Sequence, residues 1–305
     1  MSKAESVRLA VRKTYKLYIG GAFPRSESGR SYAVTSSKGD FLANASKASR
    51  KDARDAVTAA RKAFSGWSGA TAYNRGQILY RVAEMLEGRR AQFVAELADA
   101  GTGKAEAGRV VDAAVDRLVW YAGWSDKITA VAGAANPVAG PYFNLSSPEP
   151  TGVVALVAPD DPLLGLVSVV APVIVTGNTC VVVASERAPL PSITLAEVLA
   201  TSDLPGGVVN VLTGSVAEIA PWLAAHMDVN ALDLTGVADR DLAVACEAAA
   251  AENLKRVLRP ATGAAGTAGA SGVRGGDGTD WFADPGTRRM TAFLETKTVW
   301  HPTGV

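Results

Sequence analysis

Short apolar runs alternate with helical segments through the second half of the chain. Five runs are rich in apolar residues, and the first two have almost no polar positions, which is typical of strands buried on both faces. The strands are predicted at 152–158, 179–185, 207–214, 229–236 and 254–259, and the helices at 163–176, 189–203, 216–227 and 239–253. Repeated strand–helix units with right-handed crossovers predict a doubly wound, Rossmann-like parallel sheet of the α/β class over residues 151–259.

The first 135 residues have a different order, with strands before helices. Residues 15–36 alternate and turn like a β-hairpin. Apolar positions at helical spacing then predict three long helices, over 51–67, 72–100 and 103–133.

The pattern changes again after Arg259. Residues 260–285 are mostly small, with many Gly, Ala, Thr and Ser, and we expect a flexible linker there. Residues 286–305 alternate, with Phe293 and Glu295 on one face and Leu294 and Thr296 on the other, and predict a final strand. An isolated strand at this position needs a pairing partner, because unpaired strand edges are prone to associate.

Composition narrows the function classes. The formal net charge is +1, which gives no bias toward nucleic acid or an anionic membrane. The most apolar segment, 163–178, is too short to span a bilayer, and the basic N-terminus has no apolar region typical of a secretory signal. Two cysteines form no disulfide framework or metal spacing, so we expect a cytoplasmic protein.

Several ordered motifs resemble the aldehyde dehydrogenase superfamily. They are KLYIGGAF, the two-helix stretch beginning DARDAVTAARKAFSGW, EPTGVVALVAPDDPLL, VVAPVIVTGNTCVVVASERAPL, LPGGVVNVLTG, DVNALDLTG and FLETKTVWHP. The resemblance covers about residues 15–258 and 290–302 and implies that 1–135 belongs to the family's cofactor domain. It also implies that residues 136–150 form an oligomerisation extension, which packs with the strand in 286–305.

The catalytic residues of the family are not matched. The resemblance implies a nucleophilic cysteine on a separate domain and a glutamate general base, but Arg259 or Pro260 lies near the glutamate position and the linker replaces the domain. Cys180 falls in a predicted buried strand and Cys246 in a predicted helix, and we interpret both as structural thiols. We therefore predict no catalytic residue in this chain.

The oxyanion segment of the family is altered as well. Asp160 and Asp161 stand where Trp-Asn-Phe would be, and a carboxylate there would repel a developing oxyanion. We expect the two aspartates to cap the following helix.

The resemblance leaves a reduced cofactor site. Glu186, Thr235 and Gly236 match family positions, so they are vestigial candidates for NAD binding, with Glu186 equally well a solvated loop carboxylate. The family's ribose lysine aligns with Val183, its next serine with Val237, and Asp241 would bring negative charge toward the pyrophosphate. We expect at most weak NAD binding.

Two histidines and two aromatic residues complete the candidates. His226 is expected to cap a helix, and His301 follows the last strand, so neither predicts a metal site. Trp281 and Phe282 would either anchor a surface contact or pack on the chain's own core.

These patterns favour a non-catalytic aldehyde dehydrogenase-like subunit that assembles with a full-length aldehyde dehydrogenase, which would supply cysteine, base and NAD. It would resemble the degenerate second unit of fused two-unit family members. The alternatives are a weak NAD-binding regulatory module, a self-associating structural homodimer and a dehydrogenase with a relocated nucleophile.

Overall fold

The computed structural model describes residues 12–259 and 279–304, and the first 11 residues and most of the predicted linker, 260–278, lie outside that range. The N-terminal sheet has the strand order β1-β3-β2, and its strands are β1 (Thr14–Tyr15), β2 (Ser31–Thr35) and β3 (Phe41–Ser46). Within the hairpin predicted at 15–36, Ile19 and Ala22 form a bridge around Gly20 and Gly21, and the Leu17 N–H donates to the Pro24 carbonyl oxygen at 3.0 Å, so a short turn does form there. The antiparallel hairpin itself is β2–β3, shifted toward the C-terminus.

The predicted three-helix region contains five helices. They are α1 (Arg50–Ser68), α2 (Ala72–Gly88), α3 (Arg90–Asp99), α4 (Lys104–Ala122) and α5 (Ile128–Ala132). The single helix predicted over 72–100 is wrong, because the chain leaves helical geometry at Arg89, with φ −107° and ψ 13°. The helix predicted over 103–133 is likewise broken, since α4 is capped by Gly123.

Helix α1 is defined by its first turn. Ser49 accepts a hydrogen bond from the Asp52 N–H, and the Asp52 carboxylate accepts from the Ser49 N–H at 2.8 Å, so a capping box starts the helix. Its buried face is built of small residues, including Ala53, Ala56 and Ala60, and packs against the central sheet. Small side chains allow this close helix–sheet approach.

The central sheet is parallel and has five strands in the order β10-β9-β6-β7-β8, which confirms the doubly wound α/β prediction. The strands are β6 (Val153–Val157), β7 (Thr179–Val183), β8 (Val209–Leu212), β9 (Ala231–Asp233) and β10 (Arg256–Leu258). The intervening helices are α6 (Leu164–Val175), α7 (Leu190–Ala200), α8 (Val216–Ala225) and α9 (Arg240–Ala250), and a 3-10 turn (Ala251–Asn253) follows α9.

Hydrophobic clusters cover both faces of this sheet. One contains residues of α2, α4, α6 and α7, and the other contains residues of α1, α8 and α9. Every residue of α6 is buried, as expected for an apolar helix inside a protein core. Within residues 12–259 and 279–304, no helix is both long and apolar enough to cross a membrane.

A second sheet extends from the body of the molecule. It has the order β11-β5-β4, with β4 (Ala134–Asn136), β5 (Tyr142–Pro150) and β11 (Leu294–Pro302). Strands β5 and β11 pair antiparallel from Leu294–Pro150 to Pro302–Tyr142, so the predicted final strand does pair with the predicted extension. A short helix, α10 (Arg288–Thr291), precedes β11.

Candidate functional site

The carboxyl edge of the central sheet is the place where a doubly wound fold binds ligands. After β6, Asp161 is 5% exposed and its Oδ1 accepts the N–H groups of Leu163 at 3.2 Å and Gly165 at 2.8 Å. Burial raises the pKa of this carboxyl, and the backbone donors lower it in part. The helix-capping expectation is therefore confirmed for Asp161.

Asp160 does not cap the helix, and that part of the expectation is wrong. Its carboxylate accepts a hydrogen bond from the Ser185 hydroxyl at 3.2 Å and lies 3.8 Å from the Arg187 guanidinium. The side chain thus ties the loop after β6 to the loop after β7, because both strands end at the same edge.

Both cysteines are buried within the fold. Cys180 lies in β7 and Cys246 in α9, and each side chain is 0% exposed. Burial raises the pKa of both thiols, that of Cys246 to about 11. Because the thiolate is the nucleophilic form, these environments disfavour nucleophilic chemistry and suit structural thiols.

The carboxylate of Glu186 faces the beginning of α8. It accepts the backbone N–H of Val216, the first residue of that helix, whose N-cap Ser215 makes no side-chain capping bond. The carboxylate also lines a cavity of about 900 Å³ shared with Tyr32, Glu106 and Asp160. Glu186 is therefore committed to a helix N-terminus, where negative charge is favourable.

Thr235 and Gly236 lie at the end of β9 in a closed environment. The Thr235 hydroxyl donates to Asp233. A Cβ added to Gly236 would come within 2.0 Å of the Ala158 carbonyl oxygen, so the two backbone segments are in close contact there. Only glycine fits at position 236, because the backbone after β9 packs directly against the backbone after β6.

The residues after the undescribed segment return to this edge, and we call Asp280–Phe293 the return segment. Trp281 is 3% exposed and packs against Gly165 at the start of α6. The Arg117 guanidinium donates to the carbonyl oxygens of Trp281 at 2.7 Å and Ala283 at 3.0 Å. Of the two interpretations of Trp281, packing on the chain's own core is confirmed.

A buried ion pair holds the same segment from the other side. Arg289 donates to Asp233 Oδ2 at 2.7 Å and to the Thr235 hydroxyl at 3.1 Å, and its guanidinium lies 5.3 Å from the centre of the Trp281 ring. The side chains of Asp233 and Arg289 are 1% and 19% exposed. Neither residue was predicted from the sequence as part of a site, although a lone carboxylate inside the apolar run ALDL indicates a buried basic partner.

Known proteins related to this chain share one family. The profile of the Aldehyde dehydrogenase family matches residues 23–265, which is most of the chain. The chain belongs to the aldehyde dehydrogenase family. It is 33% identical over 250 residues to aldehyde dehydrogenase, cytosolic 1, of Elephantulus edwardii, covering 79% of this chain and 49% of that protein. It is also 33% identical over 260 residues to retinal dehydrogenase 2 of Gallus gallus, covering 83% and 49%.

Solved structures agree with this relationship. The NAD+ complex of an aldehyde dehydrogenase from Bacillus cereus superposes with a TM-score of 0.76 at 28% identity, covering 80% of this chain and 50% of that one. The chain therefore spans about half the length of the relatives that it matches.

The residues present do not fit the dinucleotide that this family's fold implies. Val183, at the ribose-lysine position, is fully buried and aliphatic. At the start of α9, Asp239 Oδ1 already accepts the N–H groups of Asp241 at 2.9 Å and Leu242 at 3.3 Å, and the Asp241 side chain adds a second carboxylate to the first turn. A pyrophosphate at this helix end would meet two like charges and donors already in use.

The two histidines lie in different parts of the fold. His226 is the C-cap residue of α8, as expected, and its Nδ1 accepts the Asp228 N–H at 3.1 Å, while His301 is exposed on β11. No group of three or more His, Cys, Asp or Glu side chains with metal-binding geometry occurs in the two described ranges.

The β4-β5-β11 sheet carries exposed aromatic residues on both faces. Tyr142 and Trp300 are 45% and 56% exposed and their rings make an edge contact at 5.7 Å. Phe143 (56%) and Leu145 (39%) lie on the opposite face, since side chains alternate along a strand. Exposed apolar surface of this kind is typical of association sites.

Proposed function

We propose that this chain is a non-catalytic aldehyde dehydrogenase-family subunit that assembles through its β4-β5-β11 sheet with a full-length aldehyde dehydrogenase. The partner would carry out NAD-dependent aldehyde oxidation. The proposal depends on one observation: a nine-residue outer strand, β11, stands in a sheet whose two faces expose aromatic side chains.

The chemistry of the carboxyl edge supports the non-catalytic part. Aldehyde oxidation in this family needs a thiolate nucleophile and a bound nicotinamide cofactor. Cys180 and Cys246 are buried with raised thiol pKa values, and the start of α9 carries Asp239 and Asp241. The Trp281 ring and the Arg289–Asp233 ion pair fill space at the same edge.

The second sheet supports the assembly part. Phe143 and Trp300 are both 56% exposed, although aromatic side chains are usually protected from water. The sheet is anchored to the body at one end, where Leu294 pairs with Pro150 and Phe293 is 1% exposed. A projecting, aromatic sheet has the composition that protein interfaces favour.

Co-expression with full-length relatives from the same source organism tests the proposal. We expect one relative to co-elute with this chain on size exclusion, and Phe143→Ser with Trp300→Ser to abolish the complex. Tyr73→Ser is the matched control, because Tyr73 is 68% exposed on α2, away from the sheet. Separate elution from every relative, or a complex indifferent to the sheet variants, would contradict the assembly role.

An activity measurement tests the non-catalytic part separately. The purified chain should show no NAD reduction with short aliphatic or aromatic aldehydes, while the complex should show the activity of its partner. If the purified chain oxidises aldehydes and Cys246→Ser or Cys180→Ser abolishes that activity, the chain is a dehydrogenase with a relocated nucleophile.

A further inference from the structure

The outer edge of β11 is available for pairing. Strand β5 pairs with β4 on one side and with the whole length of β11 on the other. Within residues 12–259 and 279–304, no strand pairs with the far side of β11. A long unpaired edge is a template for another strand.

Two hydrogen bonds at the ends of the β5–β11 ladder show which backbone groups face outward. The Thr151 N–H donates to the Phe293 carbonyl oxygen at 3.3 Å, and the Thr303 N–H donates to the Pro141 carbonyl oxygen at 2.7 Å. Both bonds keep the register of the ladder, so odd-numbered residues of β11 direct their backbone groups toward β5. In an antiparallel pair these directions alternate, and the even-numbered residues therefore direct theirs to the free edge.

We propose that the free edge of β11 pairs antiparallel with β11 of a second copy of this chain, about a twofold axis at Thr298. This register is the one that aligns all nine residues, from Leu294 opposite Pro302 to Thr298 opposite itself. The outward groups of Thr296 then meet those of Trp300 in the other copy. Pro302 has no N–H and marks the end of the edge.

The side chains favour the same register. With the axis at Thr298, Glu295 faces His301 of the second copy and Lys297 faces Val299, so no like charges lie directly opposite. With the axis one residue earlier, Lys297 would face Lys297 of the other copy, and like charges directly across a sheet destabilise the pair. With the axis at Thr296, only residues 294–298 of β11 would align.

Self-pairing and assembly with an aldehyde dehydrogenase exclude each other wherever both use this edge. That competition depends on the proposed function, whereas the self-pairing depends only on the geometry of β11. If the chain forms this dimer but never binds a relative, the proposed function is overturned and the self-pairing stands.

Cysteine cross-linking tests the register. At the axis, the two Thr298 Cα atoms would be about 5.5 Å apart, which lies within the disulfide range. Thr298→Cys should therefore give a covalent dimer on mild oxidation or with a short bismaleimide. Thr296→Cys is the matched control, because its two copies would be about 15 Å apart. The native cysteines are buried and add little background. Cross-linking at neither position, or at 296 alone, would overturn the proposed pairing.

Analytical ultracentrifugation tests the edge without a cross-link. We expect a concentration-dependent dimer for the natural sequence and for Thr296→Val, which keeps the N–H. Thr296→Pro removes an outward donor, makes no change to the β5 ladder and should weaken the dimer about tenfold or more. Far-UV circular dichroism checks that the variant is folded. A monomer at every concentration, or an unchanged dimer in a folded Thr296→Pro variant, would refute the inference.

Discussion

The ion pair between Arg289 and Asp233 gives the strongest quantitative prediction for the fold. Replacing Arg289 with Met keeps an unbranched apolar stem but removes the guanidinium and its charge. The Asp233 carboxylate, 1% exposed, would then be buried without its cation. The backbone N–H of Thr235 still donates to its other oxygen at 2.9 Å, so part of the carboxylate remains satisfied.

Removing one partner of a buried pair costs about 3–5 kcal/mol of unfolding free energy. Because Thr235 retains its hydrogen bonds to Asp233, we expect Arg289→Met to lie at the lower end, about 3 kcal/mol. Asp233→Asn leaves a guanidinium that is 19% exposed and can reach water, so its cost should be smaller, about 1–2 kcal/mol. In the double variant neither charge is stranded, which predicts a coupling energy of about 2 kcal/mol.

Urea unfolding followed by far-UV circular dichroism measures all four members of this cycle. Arg256→Met serves as a control, because the Arg256–Glu295 pair is long, at 3.9 Å, and 44% and 59% exposed. An exposed pair of this kind contributes at most about 1 kcal/mol. If Arg289→Met costs no more than Arg256→Met, or if the coupling is near zero, the return segment is not held by this ion pair.

Three further predictions concern other sites. Gly236→Ala should destabilise the chain by about 1–3 kcal/mol, measured by urea unfolding, because its Cβ would overlap the Ala158 carbonyl oxygen; an unchanged midpoint would contradict the close packing. Isothermal titration calorimetry with millimolar NAD should give no binding heat, since Asp239 already caps α9; a saturating isotherm would favour the regulatory module. Burial raises the pKa of Glu96 despite hydrogen bonds such as that from Tyr15, so its ionisation opposes folding as pH rises above about 4.5. Glu96→Gln should therefore stabilise the chain at pH 7, with the gain vanishing below pH 4; a pH-independent effect would refute this assignment.

The central sheet could be predicted from sequence because its signal is local. Strand Val153–Val157 is apolar at every position and Thr179–Val183 at every position but the first, and burial on both faces requires that composition. The order of alternating strands and helices then leaves few topologies.

The breaks between helices could not be predicted in the same way. Apolar spacing continues through Arg89, and arginine is a good helix former. The guanidinium of Arg89 donates to Glu197 at 2.9 Å, on a helix 108 positions later, so the turn is associated with a distant contact. Gly123 is a typical helix C-cap, but apolar residues continue beyond it at helical spacing, so the sequence alone favoured one long helix.

In the candidate site, too, local contacts could be predicted from the sequence and long-range contacts could not. Asp161 was predictable as a helix cap because its acceptor role is set by residues that follow within four positions. Glu186 accepts a hydrogen bond from Val216, 30 positions later, and Arg289 donates to Asp233, 56 positions earlier. No local pattern encodes such pairs, although the isolated charge of Asp233 marks one end.

Arg117 has a consequence for how a chain of this kind could arise and be re-engineered. Arg117 lies on α4, and its hydrogen bonds to Trp281 and Ala283 hold the beginning of the return segment in place. Strand β10 ends independently, against β9. The two attachment points are thus specified separately, which makes the junction between them modular. A domain could be deleted or a foreign one grafted there in a single genetic step, with the core already equipped to receive both chain ends.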